Sequence, residues 1–195
     1  SGQVVVTDKV ELSGQAPSSF FIGLPARYGS YMLEGLAYDG NYNLLPVALA
    51  VPLPDQSGFY GAKVTLPSGV SSFTVVFILS SGALTPTGTG YDLTFPAYPA
   101  LTQSVANCQA SLVLPQGTSV TNIDKPDGAT TASTYSKQNL VAYTNAPATA
   151  QIAADYGEIQ KVSMPRLTRQ LTIDASGALT ATDTYRIVNN STLPM

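Results

Sequence analysis

Histidine and tryptophan are absent from this 195-residue chain, cysteine occurs once, and charge is scarce. Without histidine, the serine–histidine and cysteine–histidine machineries cannot be built, nor can a histidine-containing metal site. One thiol, Cys108, permits neither an intrachain disulfide nor a thiolate zinc site. Its place in an apolar alternation with Val105 and Leu112 reads as a small buried hydrophobe. Only nine Lys and Arg side chains are present, spread thinly, and the net charge is −3. No basic stripe exists to meet phosphates, so nucleic acid is not an expected partner. No apolar run approaches the roughly 18 residues that span a bilayer, so this segment is not expected to insert into a membrane. The longest such run, Phe73 to Leu79, has the length of a strand.

Charged residues make up 11% of the chain, against about 25% in an average soluble domain. The surface must then be mostly Ser, Thr, Asn, Gln and Tyr. Hydrophobic residues make up 44%, which is enough for a core and rules out disorder. Together these suit a secreted, extracellular or cell-surface protein. The chain begins at Ser1-Gly2, which reads as a processed or excised start.

Period-2 patterning dominates. Val4, Val6, Val10 and Leu12 share one parity, as a half-buried strand requires. Further strands are predicted over 18–24, 30–38, 43–51, 59–66, 71–80, 91–95, 102–114, 118–123, 140–143, 148–154, 159–164, 166–173 and 178–188. Asp39-Gly40-Asn41 and Pro67-Ser68-Gly69 read as hairpin turns. Asp124 to Gly128 reads as a turn opening a polar loop to about Lys137. A short helix is allowed over 146–156. The fold class expected is all-β, an antiparallel β-sandwich of immunoglobulin-like or related type. A β-sandwich region is assigned to 1–164, divisible near 96–102, and a C-terminal strand pair to 165–195.

The two ends of the chain resemble each other. Ser1 to Leu12 aligns with Ser176 to Ile187 at an offset of 175 residues, the distance from Gly2 to Gly177. Ser, Gly, Thr and Asp are identical, and the apolar parity is kept: Val4 with Leu179, Val10 with Tyr185, Leu12 with Ile187. The second copy is preceded by a strand that pairs with it, whereas the first has no such partner. The chain thus reads as one and a fraction of a tandem repeat. An unpaired edge is open to a strand from another molecule, and a head-to-tail interface of that kind does not close. Copies of the same chain are therefore the expected partner. Leu167, Leu171, Ile173, Leu179, Tyr185 and Ile187 are the strand-exchange candidates.

Tyr91 to Gln103 carries an aromatic, proline and Thr-Gln pattern, and Val162 to Leu171 runs into the Gly177 strand. In these two stretches the chain resembles the lumenal part of ribophorin I, a non-catalytic subunit of oligosaccharyltransferase. The resemblance implies tandem β-sandwich domains outside the cytosol and carries no catalytic residues. By architecture alone, the strand-exchange pattern also looks like archaeal surface threads and pili.

Other chemistry is thinly represented, and no cofactor is implied. Ser136-Lys137 is an unsupported pair in a polar loop. Asp124 and Asp127 flank Pro126 as turn residues do. Asp155 and Glu158 supply two of the about six oxygens a hard cation needs. Asp8 and Asp183 fall on the inward parity of their strands, which calls for a bulge or a cross-strand hydrogen bond. The eleven Tyr are dispersed and read as a structural surface rather than a sugar platform. Asn189 and Asn190 head two overlapping acceptor sequons for N-glycans. In order of expectation, the chain is a non-catalytic filament subunit, an accessory or adhesion domain of a longer membrane-anchored chain, or a carbohydrate-acting enzyme.

Overall fold

The computed structural model describes residues 2–14, 16–88, 90–154, 159 and 161–190. Within them the regular structure is nearly all β, in antiparallel sheets. In chain order the strands are β1 (Val4–Glu11), β2 (Ser19–Pro25), β3 (Met32–Asp39), β4 (Leu44–Leu45), β5 (Val47–Val51), β6 (Phe59–Thr65), β7 (Ser72–Leu79) and β8 (Leu84–Pro86). There follow β9 (Gly90–Pro96), β10 (Ala100–Leu101), β11 (Val105–Ser111), β12 (Thr118–Asp124), β13 (Thr134–Leu140), β14 (Pro147–Ala154), β15 (Val162–Ile173) and β16 (Leu179–Asn189). The expected all-β fold is therefore observed.

Two sheets, β1-β7-β3-β4 and β10-β2-β6-β5, enclose one core. Strand β7 shows how alternation builds it. Phe73, Val75, Phe77 and Leu79 are fully buried while the residues between them are half-exposed, the period-2 signature of a sheet with one wet face. Phe73 meets Phe20 of the opposite sheet edge to face, with ring centroids 5.2 Å apart. A second core lies between the sheet β12-β14-β9-β8 and the β11-β13 ribbon, around Tyr91, Leu93, Ile123 and Ile152. The two cores are joined through Val4, Tyr31 and Val105, which pack on both. Tyr28, fully buried, also donates its hydroxyl to the carbonyl of Phe95 at 2.6 Å.

Several local expectations are corrected. Residues 147–154 form β14, not a helix. Ala148, Ala150 and Ile152 are buried and alternate with more exposed neighbours, so the alanine-rich composition misled while the period did not. Pro67-Ser68-Gly69 does not make a hairpin: β6 pairs with β2 and β5, and β7 with β1 and β3. The turn crosses between the two sheets instead. The predicted strand over 43–51 is broken at Pro46, where the chain leaves β3 and joins β6. The polar loop after Asp124 contains β13, whose mostly polar residues pair with β11. Residues 141–143 lie outside any strand.

Candidate strand-exchange site

Strands β15 and β16 form a hairpin of their own, closed by Asp174, whose Oδ1 accepts from the amides of Ser176 and Ala178. Gly177, at φ +84°, takes the left-handed position the turn requires. All twelve residues of β15 are exposed. Leu167, Leu171, Ile173, Leu179, Tyr185 and Ile187 are each 52–72% exposed, and none belongs to either core. Cross-strand pairing brings them together: Leu167 lies opposite Tyr185 and Ile173 opposite Leu179. An apolar ribbon this long without a covering layer has the form of half a sandwich.

Strand β1 is the candidate complement. It aligns with β16 at the 175-residue offset, and its inward residues Val4, Val6 and Val10 do pack on a core. It stands at the end of its sheet, so one of its edges has no strand beside it among the described residues.

The two aligned aspartates differ in their surroundings. Asp183 is held by Arg169 from the opposite strand, with Nε and Nη2 each donating at 2.7 Å to the two carboxylate oxygens. The Arg169 hydrogen bonds lower the Asp183 pKa most, desolvation opposes them, and the Tyr185 hydroxyl adds a smaller lowering. Asp8 has no arginine. It is half-buried as a residue, but its Oδ2 is shut off from solvent and meets no hydrogen-bond donor. Burial raises its pKa to about 7. No bulge relieves it, since β1 pairs with β7 in unbroken register. The cross-strand hydrogen bond expected for an inward aspartate is thus present at Asp183 and missing at Asp8.

Cys108 borders this site from β11. Burial, and then the charge of Asp8, push its thiol pKa up, so it is a poor nucleophile. The remaining candidates lie elsewhere. Asp127 accepts from Lys125 at 2.8 Å and from Tyr98 at 3.0 Å, with Lys137 at 3.4 Å. Desolvation pushes its pKa up, but these donors outweigh it and bring the value to about 2. Lys137 is thereby engaged with a carboxylate rather than with Ser136. Tyr38 and Tyr42 stack on each other at the β3–β4 turn, while Tyr28 and Tyr91 are buried, so the tyrosines form no common platform. Asn189 ends β16, and the Asn190 amide donates to Ser163 at 2.9 Å. Asp155, Glu158 and the Ser191 and Thr192 of the sequons lie outside the described residues. Among the described residues no cluster of three or more His, Cys, Asp or Glu side chains could hold a metal, and no helix is long and apolar enough to cross a membrane.

What the sequence reading missed is the difference between the aspartates. Their common inward parity was legible, but the presence of Arg169 beside one and its absence beside the other needed the pairing register. No family model matches the chain, and no curated protein matches it.

Proposed function

We propose that this chain is a non-catalytic structural subunit of an extracellular, cell-surface filament, assembled head to tail by β-strand donation. One observation carries the reading: β15 and β16 expose an apolar face, while β1, the counterpart of β16, is packed on its face but open at its edge among the described residues. Fully burying a Leu or Ile side chain contributes about 1.5–3 kcal/mol. Leu167, Leu171 and Ile173 are each more than half exposed, so covering them in a neighbour gives several kcal/mol against the cost of association. The thin charge of the surface suits an extracellular setting, and Asn189 and Asn190 offer attachment points for N-glycans there. The likeness to archaeal threads and pili is one of architecture.

The test is negative-stain electron microscopy of the full chain beside a variant with Leu167, Leu171 and Ile173 all changed to Ser. Fibres from the first and folded, unassembled subunits from the second are expected. Both cores lie within residues 4–159, so the chain truncated before Pro165 serves as a companion. Continued polymerisation of that truncation sinks the proposal.

A second reading rests on the 175-residue repeat. The hairpin has the form of the opening of another unit, as in a ribophorin-like accessory or adhesion domain within a longer chain. A native mass well above 20.3 kDa favours it.

A further inference from the structure

We infer that β15 of one copy exchanges β16 for β1 of a second copy in a single register, set by Arg169 meeting Asp8. This rests on the strand-donation reading above and specifies which strand is given, where it goes and what fixes its position.

The backbone decides which edges are compatible. In β1 the amide of Leu12 donates to Ser71 at 2.8 Å. The even-numbered residues of β1 therefore turn their backbone groups toward β7, and Val5, Thr7 and Lys9 turn theirs to the open edge. In β15 the amide of Asp174 donates to Ala178 at 3.1 Å. Thr172, Gln170 and Thr168 therefore bond to β16, and Arg169 sits between them at a position without cross-strand backbone bonds. Asp8 on its open edge and Arg169 on its β16 edge are then of the same kind, and can lie directly opposite. The other edge of β15 has the wrong alternation for that pairing. The exchange thus replaces β16 by β1 rather than adding a strand outside the hairpin.

The side chains select the register. Applying the 175-residue offset to the observed β15–β16 pairs places Arg169, which faces Asp183, opposite Asp8. The guanidinium then reaches the one buried side-chain oxygen without a donor among the described residues. Leu171 trades Ala181 for Val6, a larger apolar partner. Arg166 lies opposite Arg186 in the hairpin, a like-charge pair that disfavours the closed form. In the exchanged register it faces Glu11. A slip of two residues sets Arg169 against a valine and Asp8 against a leucine; a slip of one turns the apolar face outward.

The experiment uses the full chain with Cys108→Ala, carrying Val4→Cys and Ile173→Cys. The inferred register brings these two together as a closely spaced cross-strand pair, within reach of a disulfide. A slipped control carries Val6→Cys with Ile173→Cys. The expected result is a ladder of intermolecular disulfides on non-reducing gels from the first and none from the second. A second pair, Lys9→Cys with Thr168→Cys, lies on the exposed face and is joined by a short bis-maleimide if the inward pair fails to fold. A ladder from the slipped control, or no ladder from either matched pair while native fibres form, overturns the inference and leaves the filament standing. An absence of fibres overturns the filament reading itself. Separately, Arg169→Glu should slow assembly by about tenfold or more, as facing like charges do, and Asp8→Lys in the same chain should restore it. Failure of that restoration, with fibres otherwise normal, refutes the ion pair.

Discussion

Asp8 makes the folded chain sensitive to pH in a way that can be worked through. Its carboxyl is held neutral to about pH 7 by burial, against 3.9 for an unperturbed aspartate. A raised acid pKa means that the folded chain binds more protons than the unfolded one in between. Stability from this group is full below pH 4, falls as pH rises, and levels off above pH 7. A rise of that size corresponds to roughly 4 kcal/mol, and partial solvent access to the residue screens this to about 2–4 kcal/mol. Cys108, the titratable neighbour, has its own pKa raised and stays neutral through the window. Asp39, Asp127, Asp174 and Asp183 all have lowered pKa values and complete their titration below it. Urea unfolding from pH 4 to pH 8, at dilutions where sedimentation gives monomer, should show this decline for the wild type. Asp8→Asn should be nearly flat over the same range. Equal slopes in the two proteins would refute the reasoning, since the charge being excluded would then belong elsewhere.

Other outcomes follow from single contacts. Tyr28→Phe removes the buried hydroxyl from the Phe95 carbonyl and should cost about 1–3 kcal/mol, read as a lower denaturation midpoint. Gly90→Ala drives a methyl group into the carbonyl of Ile152 on the adjoining strand; a loss of about 1–3 kcal/mol is expected, with amide exchange in β9 and β14 accelerated. Asp127, with its pKa lowered to about 2, contributes stability above pH 4 that is lost as pH falls toward 2; Asp127→Asn should blunt acid unfolding in that range alone, as followed by circular dichroism.

Period and turn chemistry made most strands legible, because alternation survives wherever one face of a sheet is wet. Partnership was less visible. A Pro-Ser-Gly turn between two apolar runs looks the same whether the chain folds back on its neighbour or steps to the facing sheet, and at 67–69 it does the latter. Strand β13 escaped because Thr134 to Asn139 shows no apolar alternation; only Leu140 of that strand is buried. The helix allowed at 146–156 arose from alanine, whose helical preference is overruled by the sheet that β9 and β12 form around it. At the candidate site, parity alone put the apolar residues of β15 and β16 on one face, but their exposure needed the structure. The isolation of the Asp8 carboxyl was not, since it depends on which strand stands beside β1.

The ladders also set an order of events. Joining β1 to β7 brings Val4 to Leu79, and joining β10 to β2 brings Leu101 to Ile22, so both close long stretches of chain before any contact rewards them. Such topologies fold in milliseconds to seconds. The β15–β16 hairpin closes across a four-residue turn and zips in about 1–10 μs. In a folding chain its apolar ribbon is therefore complete long before the edge of β1 exists. On the proposed assembly, a factor that shields this one hairpin during that interval would govern whether copies join in order or clump.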